Sequence, residues 1–494
     1  MNHQAPRLPF LAVATIVATI FLAKFIAYAW LVTPLWDIPD ESGHHSYIQD
    51  IAAGDWPVLG EARMGERVTE SWRGPDATPG MNWIAQHPPL FYALGAPIVA
   101  AARAADLDFE HQVRAARMPA AVFGALAILG LALFLARATG RDELGLAGAI
   151  FLAATPMFTH LSTGVSHDTL VACTAAWAAY WCVRWLESDA FRHLLYCGLL
   201  VALCTLTKLT ALAMAVPLFF ALAWRLWRHR DSSRGWKDWT LRTAVLWLVM
   251  FTPLCLWIVR NLLTIEQVFP DSSIIYDREL VAIGFVEFMR RFPFWQNTLL
   301  NFIALIGWNG SPSGDLIWIR ADGWMARYFL GLLATASVGV LLRPAFNRVG
   351  SPARWIGIGL ATAALVYAYS QWPLMRLASA TCVLLSVSIT FTLFANAIGF
   401  IRTGAHGWLL ATAAICTLFF AFIYYQHLWS GFTGSMRATH GRYLYPIAPF
   451  LLLMLLWPFR ERLACQITLF GALVAMVFAD GFYLHRVFNL YGQL

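Results

Sequence analysis

Uninterrupted apolar blocks of 18 residues or more recur along this chain, and they constrain its fold more than any other feature. As an α-helix, such a block matches the hydrocarbon thickness of a bilayer, about 30 Å at about 1.5 Å per residue. A soluble protein of 494 residues would instead alternate periodic segments with polar loops. Composition agrees, with 59% hydrophobic and 13% charged residues, against roughly 45–50% and 25% in ordinary soluble domains. A soluble enzyme is thereby excluded, and lipid is the solvent for most of the chain. The formal charge of +7 does not point to nucleic acid as a partner, because Lys and Arg of membrane proteins collect in cytoplasmic loops.

Segments long enough to cross fall near 8–32, 115–136, 143–162, 168–187, 193–207, 209–227, 241–262, 324–343, 353–372, 374–400, 406–429, 443–459 and 464–485. The expected fold class is therefore an all-α polytopic membrane protein with about thirteen spans, two of them short and meeting at Lys208. The first block has no small-residue cleavage site after it and is expected to stay as an anchor. Shorter apolar runs at 88–104, 280–289 and 295–308 are decided by charge. Arg225, Arg228, Arg230, Arg234, Lys237 and Arg242 place their loop in the cytoplasm, as do the basic residues of 343–354 and 460–462. The segment 33–114 carries twelve carboxylates against five arginines and should face outward. All assignments agree if 88–104 is a helix lying on the outer surface. The expected layout is one domain over 1–494, with a cytoplasmic N-terminus, outer loops 33–114 and 263–323, and no separate soluble C-terminal domain. The eight cysteines lie in or beside apolar segments without a CxxC pair, and are read as small buried hydrophobes.

The first outer loop opens Trp36-Asp37-Ile38-Pro39-Asp40-Glu41-Ser42-Gly43-His44-His45. A helix starting after Pro39 would put Asp40 and Glu41 in its first turn, where the dipole favours carboxylates, with His44 one turn on. One reading is a helix cap on a solvated loop. The other is a catalytic carboxylate, because the cluster lies just beyond the first span, where a base meets substrates delivered by the membrane. Later comes Gln86-His87-Pro88-Pro89-Leu90-Phe91-Tyr92, whose prolines preset a rigid entry to a short helix. His87 is equally well a partner for phosphate or hydroxyl or a polar residue before a turn. Asp40, Glu41, His44, His45 and His87 are possible metal ligands, but their spacing matches no strong motif such as HExxH, and no metal is expected.

Ionisable residues within spans are costly, so each is a functional candidate. Asp168 opens the fourth span on its outer side. Lys208 is one of only three lysines, and an ammonium at that junction suits an anionic headgroup. Arg260 ends the seventh span, and Arg437, His440 and Arg442 precede the twelfth. Snorkelling to the interface is the alternative for each. As a set, these outer cations surround a carboxylate-bearing loop, as a phosphate-linked substrate requires.

Asp40-Glu41 with His44, His87-Pro88-Pro89 with Phe91 and Tyr92, Asp168 after Thr155-Pro156, Lys208 in a Leu-Thr-Lys stretch, and Arg260-Asn261 together resemble the GT-C superfamily of membrane glycosyltransferases. The pattern is most similar to the protein O-mannosyltransferase and aminoarabinose transferase type, which take sugars from polyprenyl phosphates. Gly307-Trp308 and Gly441-Arg442-Tyr443-Leu444-Tyr445-Pro446 also look like a bacterial membrane family within that superfamily.

The resemblance implies a polyprenyl-phosphate sugar donor entering from the outer leaflet of a bacterial inner membrane, with Lys208, Arg260 and Arg442 on its phosphate. It implies Asp40 as general base, Glu41 and His44 as orienting groups, inversion at the anomeric carbon, and no cofactor. Asp37, His45, His87, Tyr92, Asp168 and Trp308 would line the cavity, beside His440 and Arg437. The short C-terminus favours a glycan, lipid or lipid-linked acceptor over a protein. An O-antigen ligase or polymerase would call for a larger late outer loop, and a transporter for related repeats in the two halves, which the sequence lacks.

Overall fold

The computed structural model describes residues 8–72, 80–228, 236–270, 440–457 and 462–491, with isolated positions between 275 and 306 and at 429. The expected spans between 324 and 428, the basic loop 343–354, most of the outer loop 263–323, and Arg437 and Trp308 lie outside the described residues.

The described elements are helical. Helix α1 (Leu8–Leu31) leads into the first loop, which folds as α2 (Glu41–Ala53), α3 (Glu66–Glu70), a 3-10 turn (Trp83–Gln86), α4 (Leu90–Ala104) and α5 (Phe109–Ala116). Next come α6 (Met118–Thr139), α7 (Asp142–Ala154), α8 (Pro156–Ser162), α9 (Asp168–Ser188) and α10 (Phe191–Thr205). A 3-10 stretch (Leu209–Met214), α11 (Ala215–Arg228) and α12 (Trp236–Ile265) follow. Another 3-10 stretch (Gly441–Ile447), α13 (Ala448–Leu456) and α14 (Arg462–Tyr491) end the described chain.

Four helical stretches among the described residues are long and apolar enough to cross a membrane: Pro9–Leu31, Phe109–Thr139, Trp239–Ile265 and Thr468–His485. They overlap the expected spans at 8–32, 115–136, 241–262 and 464–485. The expected span at 143–162 is instead broken, with α7 and α8 meeting at 71°. Pro156 opens α8 without an N–H to donate back, and the Thr155 it follows is extended (ψ 119°), so α7 cannot run through. Lys208 does sit at a junction: α10 ends at Thr205, Lys208 is extended (φ −156°), and the chain resumes as a 3-10 helix. The expected span start at 443 is displaced, because 441–447 is a 3-10 stretch and α-helix begins only at Ala448.

Helix α6 packs on α1, α7 and α9, while α9 also packs on α10 and α7 on α14. Small residues allow this closeness. A Cβ on Gly145 of α7 would lie 2.6 Å from the Ala132 carbonyl of α6. Ion pairs tie helices far apart in sequence, Lys24 of α1 with Asp480 of α14, and Arg137 of α6 with Glu187 of α9. Of the six described cysteines five are buried, and Cys255 on α12 is exposed, against the expectation. Helix α4 lies against α2 with Phe91, Tyr92, Val99 and Ala102 buried, its face set by the prolines before it. The segment from α1 to α2 carries two non-glycine residues in the left-handed region, Trp36 (φ 64°) and Asp40 (φ 63°). A buried Trp in that region costs on the order of 1 kcal/mol, which its surroundings must supply.

Candidate active site

The strained turn is held from below by Glu41 and Arg117. Arg117 Nε donates to Glu41 Oε1 at 2.8 Å and Nη2 to Oε2 at 3.0 Å. The remaining guanidinium N–H groups reach the carbonyls of Ala29, Thr33 and Pro34 at 2.7–3.0 Å. Glu41 also accepts the backbone N–H of Trp36 and of Val165, both at 2.9 Å. Both side chains are fully buried. All five Arg117 donors and the four lone-pair sites of Glu41 are thus engaged. The expectation that Glu41 shares the first helix turn with Asp40 meets a different arrangement. Helix α2 starts at Glu41, Asp40 precedes it as a left-handed cap residue, and the two carboxylates serve different partners.

Asp40 belongs to a second cluster. Its Oδ2 accepts from Arg442 Nη2 at 2.5 Å and its Oδ1 from the Trp83 indole N–H at 3.2 Å. Asn82 fixes that indole's segment by donating to the Gly43 carbonyl and accepting the Ile84 N–H. Arg442 Nε lies 3.7 Å from Asp168 Oδ2, and Lys208 Nζ donates to Asp168 Oδ1 at 2.6 Å. Lys208 also stands 4.3 Å over the Tyr443 ring. Asp168 begins α9, at the positive end of that helix's dipole. Asp40, Asp168, Lys208 and Arg442 thus form a chain of alternating charge, with side-chain exposures of 16% for Asp40 and 4% or less for the others. Burial by itself would raise the Asp40 pKa, but Arg442, with His44 and His440, brings it down to about 2.

Beside this quartet, Tyr92 is buried with its hydroxyl 2.9 Å from His44 Nδ1 and 3.1 Å from His167 Nδ1. The His87 ring completes the group, 4.5 Å from His167 and 6.4 Å from His44 between centroids. Burial lowers the pKa of His44 to about 3 and that of His167 well below its usual range, so both are neutral. His440 is buried against Tyr443.

Three expected cavity or phosphate residues are placed elsewhere. His45, on the other side of α2, sits between Trp36 and Phe109. Asp37 faces His160, whose Nε2 is 3.6 Å from its Oδ2. Arg260 donates to the Pro57 carbonyl of the first loop at 2.7 Å and covers the Trp257 ring of its own helix. Sequence reading passed over Arg117, Trp83 and His167. Arg117 carried a signal, since an arginine inside the expected span 115–136 requires a buried partner. Among the described residues, no group of three or more His, Cys, Asp or Glu is arranged to hold a metal ion.

Residues 88–257 match the model of the family described as dolichyl-phosphate-mannose-protein mannosyltransferase. A comparison with curated protein sequences gives no match. Among solved structures, the chain is similar to the S. cerevisiae protein O-mannosyltransferase Pmt1-Pmt2 complex bound to the sugar donor, at 18% identity and TM-score 0.39, covering 55% of this chain and 36% of that one. It is also similar to ArnT from Cupriavidus metallidurans bound to undecaprenyl phosphate, at 14% identity and TM-score 0.36, covering 92% and 77%. The apo Archaeoglobus fulgidus oligosaccharyltransferase gives 12% identity and TM-score 0.47, covering 99% and 56%. The chain therefore spans about a third of the yeast protein's length and just over half of the archaeal one. The family match covers about a third of the sequence and contains Tyr92, Arg117, His167, Asp168 and Lys208 of the clusters described above. By that match, residues 88–257 of this chain are similar to the family described as dolichyl-phosphate-mannose-protein mannosyltransferase.

Proposed function

We propose that the protein moves a sugar from a polyprenyl-phosphate donor to a hydroxyl of a glycan, lipid or lipid-linked acceptor, at the outer face of a bacterial inner membrane. The observation that carries this reading is the buried quartet of Asp40, Asp168, Lys208 and Arg442. A donor phosphate brings the negative charge that two buried cations can take over from carboxylates, and a carboxylate released in this way is a base. The family match, described by a dolichyl-phosphate sugar, supports the same donor class.

In this scheme the phosphate accepts hydrogen bonds from Lys208 and Arg442. That draws Arg442 from Asp40, whose basicity rises from its clamped value, while the Trp83 N–H keeps the carboxylate aimed. The acceptor hydroxyl gives its proton to Asp40 and its oxygen bonds to the anomeric carbon. The bond from that carbon to the phosphate oxygen breaks on the opposite side, its electron pair leaving with the phosphate, so the configuration inverts. Lys208 and Arg442 stabilise the charge that builds on the leaving group. With two cations of the chain on a monophosphate, the scheme requires no metal. A cytoplasmic N-terminus, thirteen spans in one domain over 1–494, and outer loops at 33–114 and 263–323 belong to the same proposal.

The test uses purified full-length protein in nanodiscs, a radiolabelled polyprenyl-phosphate sugar, and lipid and glycan fractions of a bacterial envelope. Release of polyprenyl phosphate with transfer to an acceptor in inverted configuration is the expected result. Turnover of pyrophosphate-linked donors alone, or wild-type transfer by Asp40→Asn, would overturn it.

A further inference from the structure

Tyr92 bridges two histidines through one hydroxyl, and proton counting then restricts both rings. A phenol carries a single O–H, so it can donate to only one of two neutral Nδ1 atoms and must accept an N–H from the other. His44 and His167 are consequently opposite tautomers. Asp168 decides which is which. His167 Nε2 lies 3.6 Å from Asp168 Oδ1, too far for a hydrogen bond yet close enough that a lone pair facing the carboxylate would be repelled. An N–H at His167 Nε2 removes that repulsion and leaves His167 Nδ1 as the acceptor of the Tyr92 O–H. Tyr92 then accepts from His44 Nδ1–H, and His44 Nε2 is left as a bare lone pair. That atom is buried and has no hydrogen-bond partner among the described residues, on a residue 1% exposed. The charges of Asp40, Arg442, Asp168 and Lys208 all act on the ring, which therefore lies beside the quartet.

We propose that Asp168, His167 and Tyr92 form a tautomer relay that fixes His44 Nε2 as the hydrogen-bond acceptor for a substrate hydroxyl. Tyr92 and His167 are positioning residues, and His44 is the group that touches substrate. The N–H at Nε2 is the tautomer that free neutral imidazole prefers, so the relay holds His44 in the disfavoured form and prevents it from presenting a donor where an acceptor is needed. The occupant is an alcohol O–H, from either the transferred sugar or the acceptor. The substrate assignment rests on the glycosyl-transfer reading, whereas the relay rests on hydrogen-bond geometry alone.

Histidine-selective 15N NMR of the full-length protein in nanodiscs reads the tautomers directly, with His44→Gln and His167→Gln spectra assigning the signals. A neutral Nδ1–H form for His44 and a neutral Nε2–H form for His167 are expected, and Tyr92→Phe should return His44 to the Nε2–H form. The same tautomer in both rings, or no change on Tyr92→Phe, overturns the relay. Function is read with two variants, because Gln places its amide near the Nε2 position and Asn near the Nδ1 position. His44→Asn should lose roughly 10- to 100-fold in kcat/KM, the cost of one buried hydrogen bond left unmade, and His44→Gln should lose less. A loss confined to donor affinity assigns the hydroxyl to the sugar, and one confined to acceptor KM assigns it to the acceptor. Equal losses for both variants overturn the substrate contact. Opposite tautomers in a protein that transfers no sugar would sink the glycosyl-transfer reading and leave the relay standing.

Discussion

Arg442 Nη2 lies 2.5 Å from Asp40 Oδ2 across 402 residues of sequence, joining the first loop to the 3-10 stretch that precedes α13. The same guanidinium is 3.7 Å from Asp168, so one cation is shared between two carboxylates. A shared cation can be recruited by a third anion, and that makes Arg442 the point at which donor binding would reach the base.

Asp40→Asn is expected to reduce kcat by about 10²- to 10⁴-fold, the usual range for losing a general base, with donor affinity held within severalfold. Isothermal titration with the donor, beside steady-state rates, separates the two effects. A large loss of affinity with kcat intact would move Asp40 from proton transfer to binding.

The acid transition of Asp40 should move when Arg442 is removed. Its folded-state pKa is lowered from 3.8 to about 2, so its contribution to stability is present above about pH 4 and is lost as pH falls toward 2. In Arg442→Gln the largest opposing charge is gone, burial dominates, and the carboxyl should titrate well above its wild-type position. The infrared band of the protonated carboxyl, followed against pH and assigned with Asp40→Asn, measures this.

Glu41 and Arg117 should behave as structural residues. Removing either partner of this buried pair leaves a charge without compensation, at a cost of about 3–5 kcal/mol. Glu41→Gln and Arg117→Met are expected to lower the thermal midpoint sharply, whereas Asp40→Asn should not. If Glu41→Gln retains the wild-type midpoint and loses turnover instead, Glu41 acts on substrate.

Lys208→Ala is expected to weaken donor binding roughly 10- to 100-fold, the range for a lost charged hydrogen bond, and Arg260→Ala to weaken it less. Arg260 is engaged with the Pro57 carbonyl and the Trp257 ring, while Lys208 stands within the quartet. Donor titrations of the two variants in nanodiscs give the ordering, and a larger effect at Arg260 would relocate the phosphate.

Lys24 and Asp480 offer a control for ion pairing inside the apolar helices. Lys24→Met alone should destabilise the protein, and the double change with Asp480→Leu should recover most of the loss, since a part-buried ion pair replaced whole by apolar residues is close to neutral. Thermal unfolding of the two variants beside the wild type checks it.

The sequence by itself determined that the chain is helical and built for lipid, because block length and hydrophobicity are local quantities read against a bilayer of known thickness. It also singled out Asp168, Lys208 and Arg442 as ionisable groups at span ends, where apolar surroundings make them costly, and Asp40, His44 and Tyr92 by their place in the first outer loop. Only the tertiary structure decided how they combine. Asp40 and Glu41 are adjacent and chemically alike, yet one meets Arg442 and the other Arg117, and nothing in the local sequence distinguishes the two fates. The break at Thr155 was written in Pro156, but its consequence, a loop that lays Val165 against Glu41 and His167 against Tyr92, required the packing of α6, α7 and α9. Charge pairing and tautomer choice depend on distances of a few ångströms between segments tens to hundreds of residues apart, and those distances exist only once the helices have packed.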